Sequence, residues 1–127
     1  MILKNKKFII SAAADGIGFS ISKLIVENGG KVYLTDIDKK NINKIKSNKK
    51  FKNKIFAKFL DVNNYQDVKK YFLSIKKLKK IDGLINNIGV AGPTKYLENI
   101  SNVEWENTLK TNLNSHFYFS KFSIPFL

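Results

Sequence analysis

The sequence of 127 residues has no cysteine, no arginine, two prolines and a single histidine. Without cysteine it contains neither a disulfide framework nor a thiolate metal site, and one histidine does not supply a histidine-based metal site. No apolar run reaches the length of about 18 residues that crosses a bilayer. The N-terminus, MILKNKKFII, lacks a small-residue cleavage site, which predicts a cytoplasmic protein. We therefore predict no metal and no membrane partner.

Basic residues are abundant, and all 23 of them are lysine, which gives a net charge of +13. Lysine, asparagine and isoleucine together are favoured by AT-rich coding sequences, so compositional bias is the preferred interpretation. A nucleic-acid-binding protein would use more arginine for bidentate contacts to phosphate and guanine. The lysines are scattered through predicted helices rather than interleaved with aromatic residues on one surface. We therefore predict no nucleic-acid partner.

The stretch Phe8–Gly18, FIISAAADGIG, has the pattern of a strand, a turn of small residues and the start of a helix. Ile17, Ile21, Leu24 and Ile25 fall on one face of that helix. The unpaired N–H groups at a helix N-terminus attract a pyrophosphate, and small residues let it approach the backbone. On these residues alone, a tight turn in any α/β domain is the less favoured alternative.

A second strand, Lys31–Asp36, ends in an acid. Asp36 follows the glycines at close to the offset of about 20 residues expected for a carboxylate that binds the adenosine ribose. This landmark favours a dinucleotide-binding loop over an ordinary turn.

Two further strands and three further helices are predicted along the chain. The strands are Ile55–Val62, with Asp61 near its end, and Ile81–Asn87. The first of these helices runs over about Lys39–Lys49 and has a thin apolar stripe. The second begins at Asn64, which has a capping-box spacing to Asp67, and its apolar stripe is Val68, Phe72, Ile75 and Leu78. The third runs from the capping box Ser101–Glu104 to about Phe126. Alternating strands and helices predict a Rossmann-type, doubly wound parallel sheet in the order 3-2-1-4. Ligands bind such sheets at the C-terminal ends of the strands, where four of these stretches converge.

These motifs resemble those of the short-chain dehydrogenase/reductase family over essentially the whole chain. The T-G-x-x-x-G-x-G loop of the family corresponds to Ser11–Gly18, and its N-N-A-G motif to Asn86–Gly89. Its D-V pair corresponds to Asp61-Val62, and its W-x(6)-N-L run to Trp105–Leu113. The alanine-rich loop followed by T-D-I-D resembles the branch that contains type 2 3-hydroxybutyrate dehydrogenase.

The resemblance implies a role for each matching residue. Asp36 would bind the ribose hydroxyls and favour NAD over NADP, because it would repel a 2′-phosphate. Asn112 would hold a water of the proton relay behind a catalytic lysine, although helix or strand-end hydrogen bonding is the alternative for it and for Asp61. The implied cofactor-binding residues are Ser11, Asp15, Gly16, Ile17 and Gly18 at the pyrophosphate loop, Asp36, then Asp61 and Val62 beside the adenine, and Asn87 and Gly89 at the nicotinamide ribose.

The chain also departs from the family pattern. Ala12 replaces a glycine and Ile88 an alanine. The resemblance implies that the family's catalytic serine and Tyr-x-x-x-Lys lie on a fifth strand and the helix after it, beyond Leu127 in this numbering. We therefore expect residues 1–127 to be the dinucleotide-binding part of one Rossmann domain, without the catalytic part and inactive as given. The Tyr65-x-x-x-Lys69 spacing is expected to be non-catalytic, because it follows strand three.

Three functions remain open on the sequence. The first is an NAD-dependent oxidoreductase seen in part, which at full length acts on a small alcohol or ketone and forms a homo-oligomer. The second is a stand-alone NAD-binding module or pseudoenzyme. The third is a basic nucleic-acid-binding protein, which would show a steep salt dependence of binding.

Overall fold

Four parallel strands form the centre of the computed structural model, which describes residues 1–127. They lie in the order β3-β2-β1-β4, so the predicted fold class and strand order are confirmed. Right-handed crossovers between parallel strands dictate this order. The strands are β1 Lys7–Ile10, β2 Lys31–Asp36, β3 Ile55–Phe59 and β4 Gly83–Ile85.

Five α-helices connect and follow these strands. They are α1 Gly16–Glu27, α2 Lys39–Ser47, α3 Tyr65–Ser74, α4 Asn102–Leu109 and α5 Ser115–Ser123. Gly29, with φ +89°, follows the end of α1 in the left-handed conformation that terminates helices. None of the helices has both the length and the hydropathy that crossing a membrane requires.

The two helix N-termini predicted from capping boxes differ in the structure. At α4 the box is complete, because Ser101 accepts from the Glu104 N–H and the Glu104 carboxylate accepts from the Ser101 N–H. At α3 only half of it forms: the Asn64 side chain accepts from the Asp67 N–H. The Asn64 N–H donates instead to the Asp61 carbonyl, so the reciprocal bond from Asp67 is absent.

Strands three and four are shorter than predicted. After Phe59 the chain leaves the ladder in a turn, in which the Asp61 carboxylate accepts from the Asn63 N–H at 2.9 Å. After Ile85 the N–H groups of Asn87 and Ile88 donate to the Ser11 hydroxyl rather than to a strand. In both strands, side-chain acceptors therefore bind the backbone N–H groups and end the strand before the end that the apolar sequence pattern predicts.

The last predicted helix is interrupted. Between α4 and α5 the chain forms a π-helical turn over Lys110–Asn114, and a 3-10 turn over Ile124–Phe126 follows α5. Such π turns are rare and occur often at functional positions. This one places Asn112 against the loop after β4.

Two apolar clusters, one on each face of the sheet, make up the core. One packs α1 and α2 on the sheet through residues such as Ile10 and Leu34, and the thin stripe of α2 supplies its Ile42 and Ile45. The other packs α3 and α5 on the opposite face around Phe119. Alternate side chains along each strand feed alternate clusters.

The buried face of α1 differs from the predicted one. Ile17 and Leu24 are exposed, and the buried residues are Gly18, Ser22, Ile25 and Val26. Small residues at Gly18 and Ser22 let the helix lie close to the sheet, which turns the larger apolar side chains outward. In α3, by contrast, the predicted Val68, Phe72 and Ile75 are buried, together with Tyr71.

Candidate functional site

The C-terminal ends of the strands surround a cleft of about 200 Å³. Its lining includes Asp36 at the end of β2, Asp61 and Val62 after β3, and Ile88 after β4. Ala12 of the loop after β1 and Thr111 of the π turn also line it. The structure thus brings four separate stretches of sequence to one edge of the sheet.

Asp36 is held in place by two backbone N–H groups. One carboxylate oxygen accepts from Ala14 N at 2.9 Å and the other accepts from Asp38 N at 2.9 Å. The first bond ties the loop after β1 to the end of β2. Each carboxylate oxygen retains a second lone pair, so Asp36 is oriented yet still able to accept from a ligand hydroxyl.

The loop between β1 and α1 leaves its backbone open at Gly16. An added Cβ at this glycine would meet no atom within 4 Å, and its φ of +56° is left-handed. Asp15 caps α1, its carboxylate accepting from Gly16 N at 2.8 Å. The neighbouring Ile17 side chain is exposed. No side chain therefore covers Gly16 itself at the N-terminus of α1, while its N–H is engaged by the Asp15 carboxylate.

Gly18 has a different role from Gly16. A Cβ on Gly18 would lie 2.6 Å from Asn87 Nδ2 and 2.8 Å from Ala13 Cα. Ala13 Cα is backbone, and Asn87 Nδ2 is fixed by its hydrogen bonds to Ser11 O and Ala12 O. Only glycine therefore allows α1 to approach the loop after β4 this closely.

Ser11 and Asn87 join the first loop to the end of β4. Asn87 Nδ2 donates to Ala12 O at 2.7 Å and to Ser11 O at 3.2 Å. The Ser11 hydroxyl accepts from Asn87 N at 3.1 Å and from Ile88 N at 3.3 Å. Ser11 is fully buried, so its side chain supports the two loops rather than facing the cleft.

Asn112 clamps the loop after β4 to the π turn. Its Oδ1 accepts from Val90 N at 2.7 Å, and its Nδ2 donates to Val90 O at 2.8 Å. A Cβ on Gly89 would lie 3.6 Å from the same Oδ1, so this side chain also packs on Gly89. The amide of Asn112 is therefore committed to positioning the loop on which Gly89 lies.

Three contributors to the site were missed by sequence reasoning. A ring nitrogen of His116, interpreted from sequence as an ordinary helix residue, lies 2.8 Å from Ile88 O. Asn63 Nδ2 donates to Thr111 Oγ1 at 3.0 Å and so links the end of β3 to the π turn. Each contact joins residues that are distant in the chain, and no local sequence pattern indicates it.

Tyr65 and Lys69 lie on α3, outside the cleft. The Tyr65 ring packs against Tyr118 at a centroid distance of 5.1 Å and against Phe122 at 5.5 Å. This tyrosine is thus placed in an aromatic cluster between α3 and α5.

An ion pair lies at the start of α4. The Lys95 ammonium lies 2.5 Å from the Glu104 carboxylate. That hydrogen bond, with those from the backbone and hydroxyl of Ser101, lowers the pKa of Glu104 to about 2. The pair joins the loop after β4 to the first turn of α4.

Comparison with known proteins matches residues 6–127 to the short chain dehydrogenase family. A 3-oxoacyl-[acyl-carrier-protein] reductase of Buchnera aphidicola is 33% identical over 122 residues, which are 95% of this chain and 49% of the relative. Chanoclavine-I dehydrogenase of Penicillium roqueforti is 33% identical over an alignment of 128 residues, which covers 91% of this chain and 48% of the relative. The chain therefore spans about half the length of the curated relatives it matches.

Solved structures show the same fold. A short-chain dehydrogenase/reductase from Brucella melitensis superposes with a TM-score of 0.89 at 25% identity, covering 100% of this chain and 54% of the other. The aldohexose dehydrogenase of Thermoplasma acidophilum superposes with a TM-score of 0.78 at 30% identity, covering 97% and 44%. The cleft, the glycine-containing loop and the family match agree: the chain belongs to the short-chain dehydrogenase family of NAD(P)-dependent oxidoreductases.

Proposed function

We propose that this chain binds NAD(H) and forms the dinucleotide-binding part of a short-chain dehydrogenase/reductase. The observation that carries the proposal is the Asp36 carboxylate, fixed by Ala14 N and Asp38 N at the rim of the cleft. In this position it is ready to accept hydrogen bonds from the hydroxyls of an adenosine ribose.

The residues around Asp36 fit such a ligand. The open backbone at Gly16 and the N-terminus of α1 would hold the pyrophosphate. Asp61 and Val62, which line the cleft, would flank the adenine. Asn87 and Gly89 would support the nicotinamide side, where Asn112 positions the loop. When bound, the cofactor supplies hydride exchange at its nicotinamide ring.

NAD is the proposed form of the cofactor, because a 2′-phosphate would lie against the Asp36 carboxylate and be repelled. The proposed substrate is a small alcohol or carbonyl compound, and the complete protein is proposed to be a homo-oligomer. The 3-hydroxybutyrate dehydrogenase branch stays a prediction, since the matched relatives act on several kinds of substrate.

Titration with NADH and NADPH, followed by nicotinamide fluorescence, tests this function. The Asp36→Asn variant keeps the shape of the side chain and one oxygen acceptor but removes the charge. We expect the native chain to prefer NADH by about tenfold or more, and Asp36→Asn to weaken NADH binding and narrow that preference. Glu27→Gln, at the far end of α1, makes the same charge change and should bind as the native chain does.

Two outcomes would overturn the proposal in different ways. No NADH binding by the native chain would remove the dinucleotide-site assignment altogether. Equal binding of NADH and NADPH, unchanged in Asp36→Asn, would keep the site but refute the NAD preference.

A further inference from the structure

A row of lysines crosses the sheet at the end opposite to the cleft. Lys7 of β1 pairs in register with Lys31 of β2. Because Val32 pairs with Ile55, Lys31 stands opposite Lys54, which directly precedes β3. Alternation along the strands puts all three on the sheet face that carries α3. A polar row of one sign thus spans three neighbouring strands.

A stacked aromatic pair lies next to this row on the same face. The rings of Tyr33 and Phe56 are 4.7 Å apart with an interplanar angle of 10°. This spacing equals the distance between adjacent strands, so the stack runs across the sheet. Since β3 is the last strand in that direction, no further strand covers the outer face of Phe56, whose side chain is 41% exposed.

A fourth lysine borders the pair on its other side. Lys58 lies on β3 two residues after Phe56, and its ammonium sits 5.8 Å from the Tyr71 ring centroid and 3.3 Å from the Ser74 hydroxyl. We call this surface the basic-aromatic platform and define it by its six residues, which are Lys7, Lys31, Tyr33, Lys54, Phe56 and Lys58.

The lysines of the platform are not neutralised by the protein. The ion pairs of the chain are Lys6–Asp82, Lys70–Asp67 and Lys95–Glu104, and none contains a platform residue. Asp82, which directly precedes β4, has its carboxylate engaged by Lys6 and by the Lys7 N–H. The Lys7 ammonium itself donates to the neutral Leu78 carbonyl at 3.2 Å. Like charges directly opposite each other on neighbouring strands are destabilising, so the row favours an external anion.

Lysines on an edge strand also discourage strand pairing between molecules, and that accounts for Lys54 and Lys58. It does not account for Lys31, because β2 has a strand on both sides, and Lys31, unlike Lys7, has no hydrogen bond from its ammonium to the protein. Nor does it explain an exposed aromatic ring among them.

We propose that the basic-aromatic platform binds single-stranded nucleic acid. A base would extend the Tyr33–Phe56 stack on the outer face of Phe56, and Lys31, Lys54 and Lys58 would contact the phosphates on either side. Aromatic faces combined with lysines are the general means by which proteins hold single strands without sequence preference. A lipid surface or an acidic peptide would match the charge but would not use the stacked rings.

The sequence predicts no nucleic-acid partner, in part because its lysines are not interleaved with aromatic residues along the chain. In the fold, strand register brings lysines and aromatic residues of three strands together on this face. The row of Lys7, Lys31 and Lys54 is at the opposite end of the strands from the cleft, and of the platform residues only Lys58, which pairs with Thr35, approaches the cleft residue Asp36.

Fluorescence anisotropy of a labelled uridylate oligonucleotide of about 12 residues tests the proposal with the native chain. We expect Phe56→Leu, which keeps the apolar contact with Tyr33 but loses the ring face, to weaken binding by about fivefold or more. The Lys31→Gln/Lys54→Gln double variant should lower the slope of log affinity against log salt by about 1.4. Saturating NADH should not displace the oligonucleotide.

The matched control is Lys44→Gln/Lys46→Gln, which removes the same charge from exposed positions of α2 on the other side of the sheet. It should leave the salt slope nearly unchanged. If both double variants lowered the salt slope equally, the attraction would be delocalised over the whole chain and the proposed binding site would be refuted. Displacement of the oligonucleotide by NADH would also refute it. Native affinity in a folded Phe56→Leu variant would refute the stacking. If circular dichroism shows that the Phe56→Leu variant does not fold, the salt slopes of the two lysine double variants decide whether the platform binds the oligonucleotide.

Discussion

At the scale of single residues, Ala12 occupies a conformation that suits glycine. Its φ is +49°, in the left-handed region, where a residue with a Cβ costs about 1–2 kcal/mol. Its carbonyl accepts from Asn87 Nδ2 at 2.7 Å, which helps to hold the strained loop. The family pattern has glycine at this position, so the departure noted from the sequence has a measurable cost.

Replacing Ala12 by glycine should therefore stabilise the protein. We expect Ala12→Gly to raise the free energy of unfolding by about 1 kcal/mol, since relief of strain exceeds the added flexibility of the unfolded chain. Urea unfolding measures the change. Ala14→Gly, at a buried position without positive φ, is the control and should destabilise by about 0.5–1 kcal/mol. A loss of stability in both variants would contradict the strain at Ala12.

At Gly18 we expect the addition of one methyl group to destabilise the protein. In Gly18→Ala the new methyl group would lie 2.6 Å from Asn87 Nδ2 and would push α1 away from the loop after β4. We expect a loss of about 1–3 kcal/mol in the free energy of unfolding and weaker NADH binding. Ser20→Ala, at an exposed position of the same helix, should change stability by less than about 0.5 kcal/mol. Comparable stability of the two variants would show that this contact is not tight.

At the scale of elements, the loop after β4 is held from two sides. Ser11 of the first loop binds its start, and the π turn binds Val90 through Asn112. His116 of α5 adds a contact to Ile88 O. The loop that carries Gly89 is therefore positioned by elements on both of its flanks.

Removing the clamp should loosen this loop without unfolding the protein. We expect Asn112→Ala to cost about 1 kcal/mol, because both bonds are partly exposed to water. Hydrogen exchange at the Val90 amide should become faster by about fivefold or more for that energy. Asn114→Ala, an exposed position in the same turn, should leave this exchange unchanged. Unaltered protection of Val90 in Asn112→Ala would argue against the clamp.

The starts of β1 and β4 are joined by Asp82, whose carboxylate accepts from Lys7 N and from the Lys6 ammonium. These hydrogen bonds lower the pKa of Asp82 in the folded protein. A lowered pKa stabilises the folded state above the unfolded value of about 3.9, and this contribution is lost as pH falls through the folded value.

Asp82→Asn should accordingly reduce stability at neutral pH and much less in acid. We expect the difference between native and variant to shrink as pH falls below about 4 in a series of urea denaturations. Asp67→Asn, whose carboxylate is exposed and 3.8 Å from Lys70, should show a smaller difference at neutral pH. If the difference in unfolding free energy between the native chain and Asp82→Asn did not change with pH, the ionised Asp82 carboxylate would be excluded as its source.

At the scale of the whole molecule, charge is the dominant feature. The 127 residues carry a net charge of +13, and the lysines that form ion pairs are Lys6, Lys70 and Lys95. Repulsion among the remaining lysines opposes the compact state, and dissolved salt screens it.

Added salt should therefore stabilise the protein. We expect the melting temperature to rise by a few degrees as NaCl increases from about 10 to 300 mM, where the Debye length falls below the spacing of surface charges. Thermal unfolding followed by circular dichroism measures this shift. The Lys49→Glu/Lys50→Glu variant, with less repulsion, should show a smaller rise. An unchanged or lower melting temperature at high salt would contradict the repulsion.

Local patterns in the chain were enough to predict the fold. The loop at Phe8–Gly18, the acid at Asp36 and the alternation of strands and helices specify a parallel sheet, because each depends on neighbouring residues and on the handedness of the crossovers. The same rules predicted that these stretches meet at one edge. Strand ends and the buried face of α1 were less predictable, because side-chain acceptors and small residues at Gly18 and Ser22 set them.

Contacts between distant parts of the chain could not be read in this way. The bonds of Ser11 to Asn87, of Asn112 to Val90 and of His116 to Ile88 depend on how close the elements pack. The basic-aromatic platform likewise exists only because strand register aligns Lys31 with Lys54 and Tyr33 with Phe56. Local sequence sets which elements form and in what order, whereas packing at the level of single ångströms sets which side chains meet.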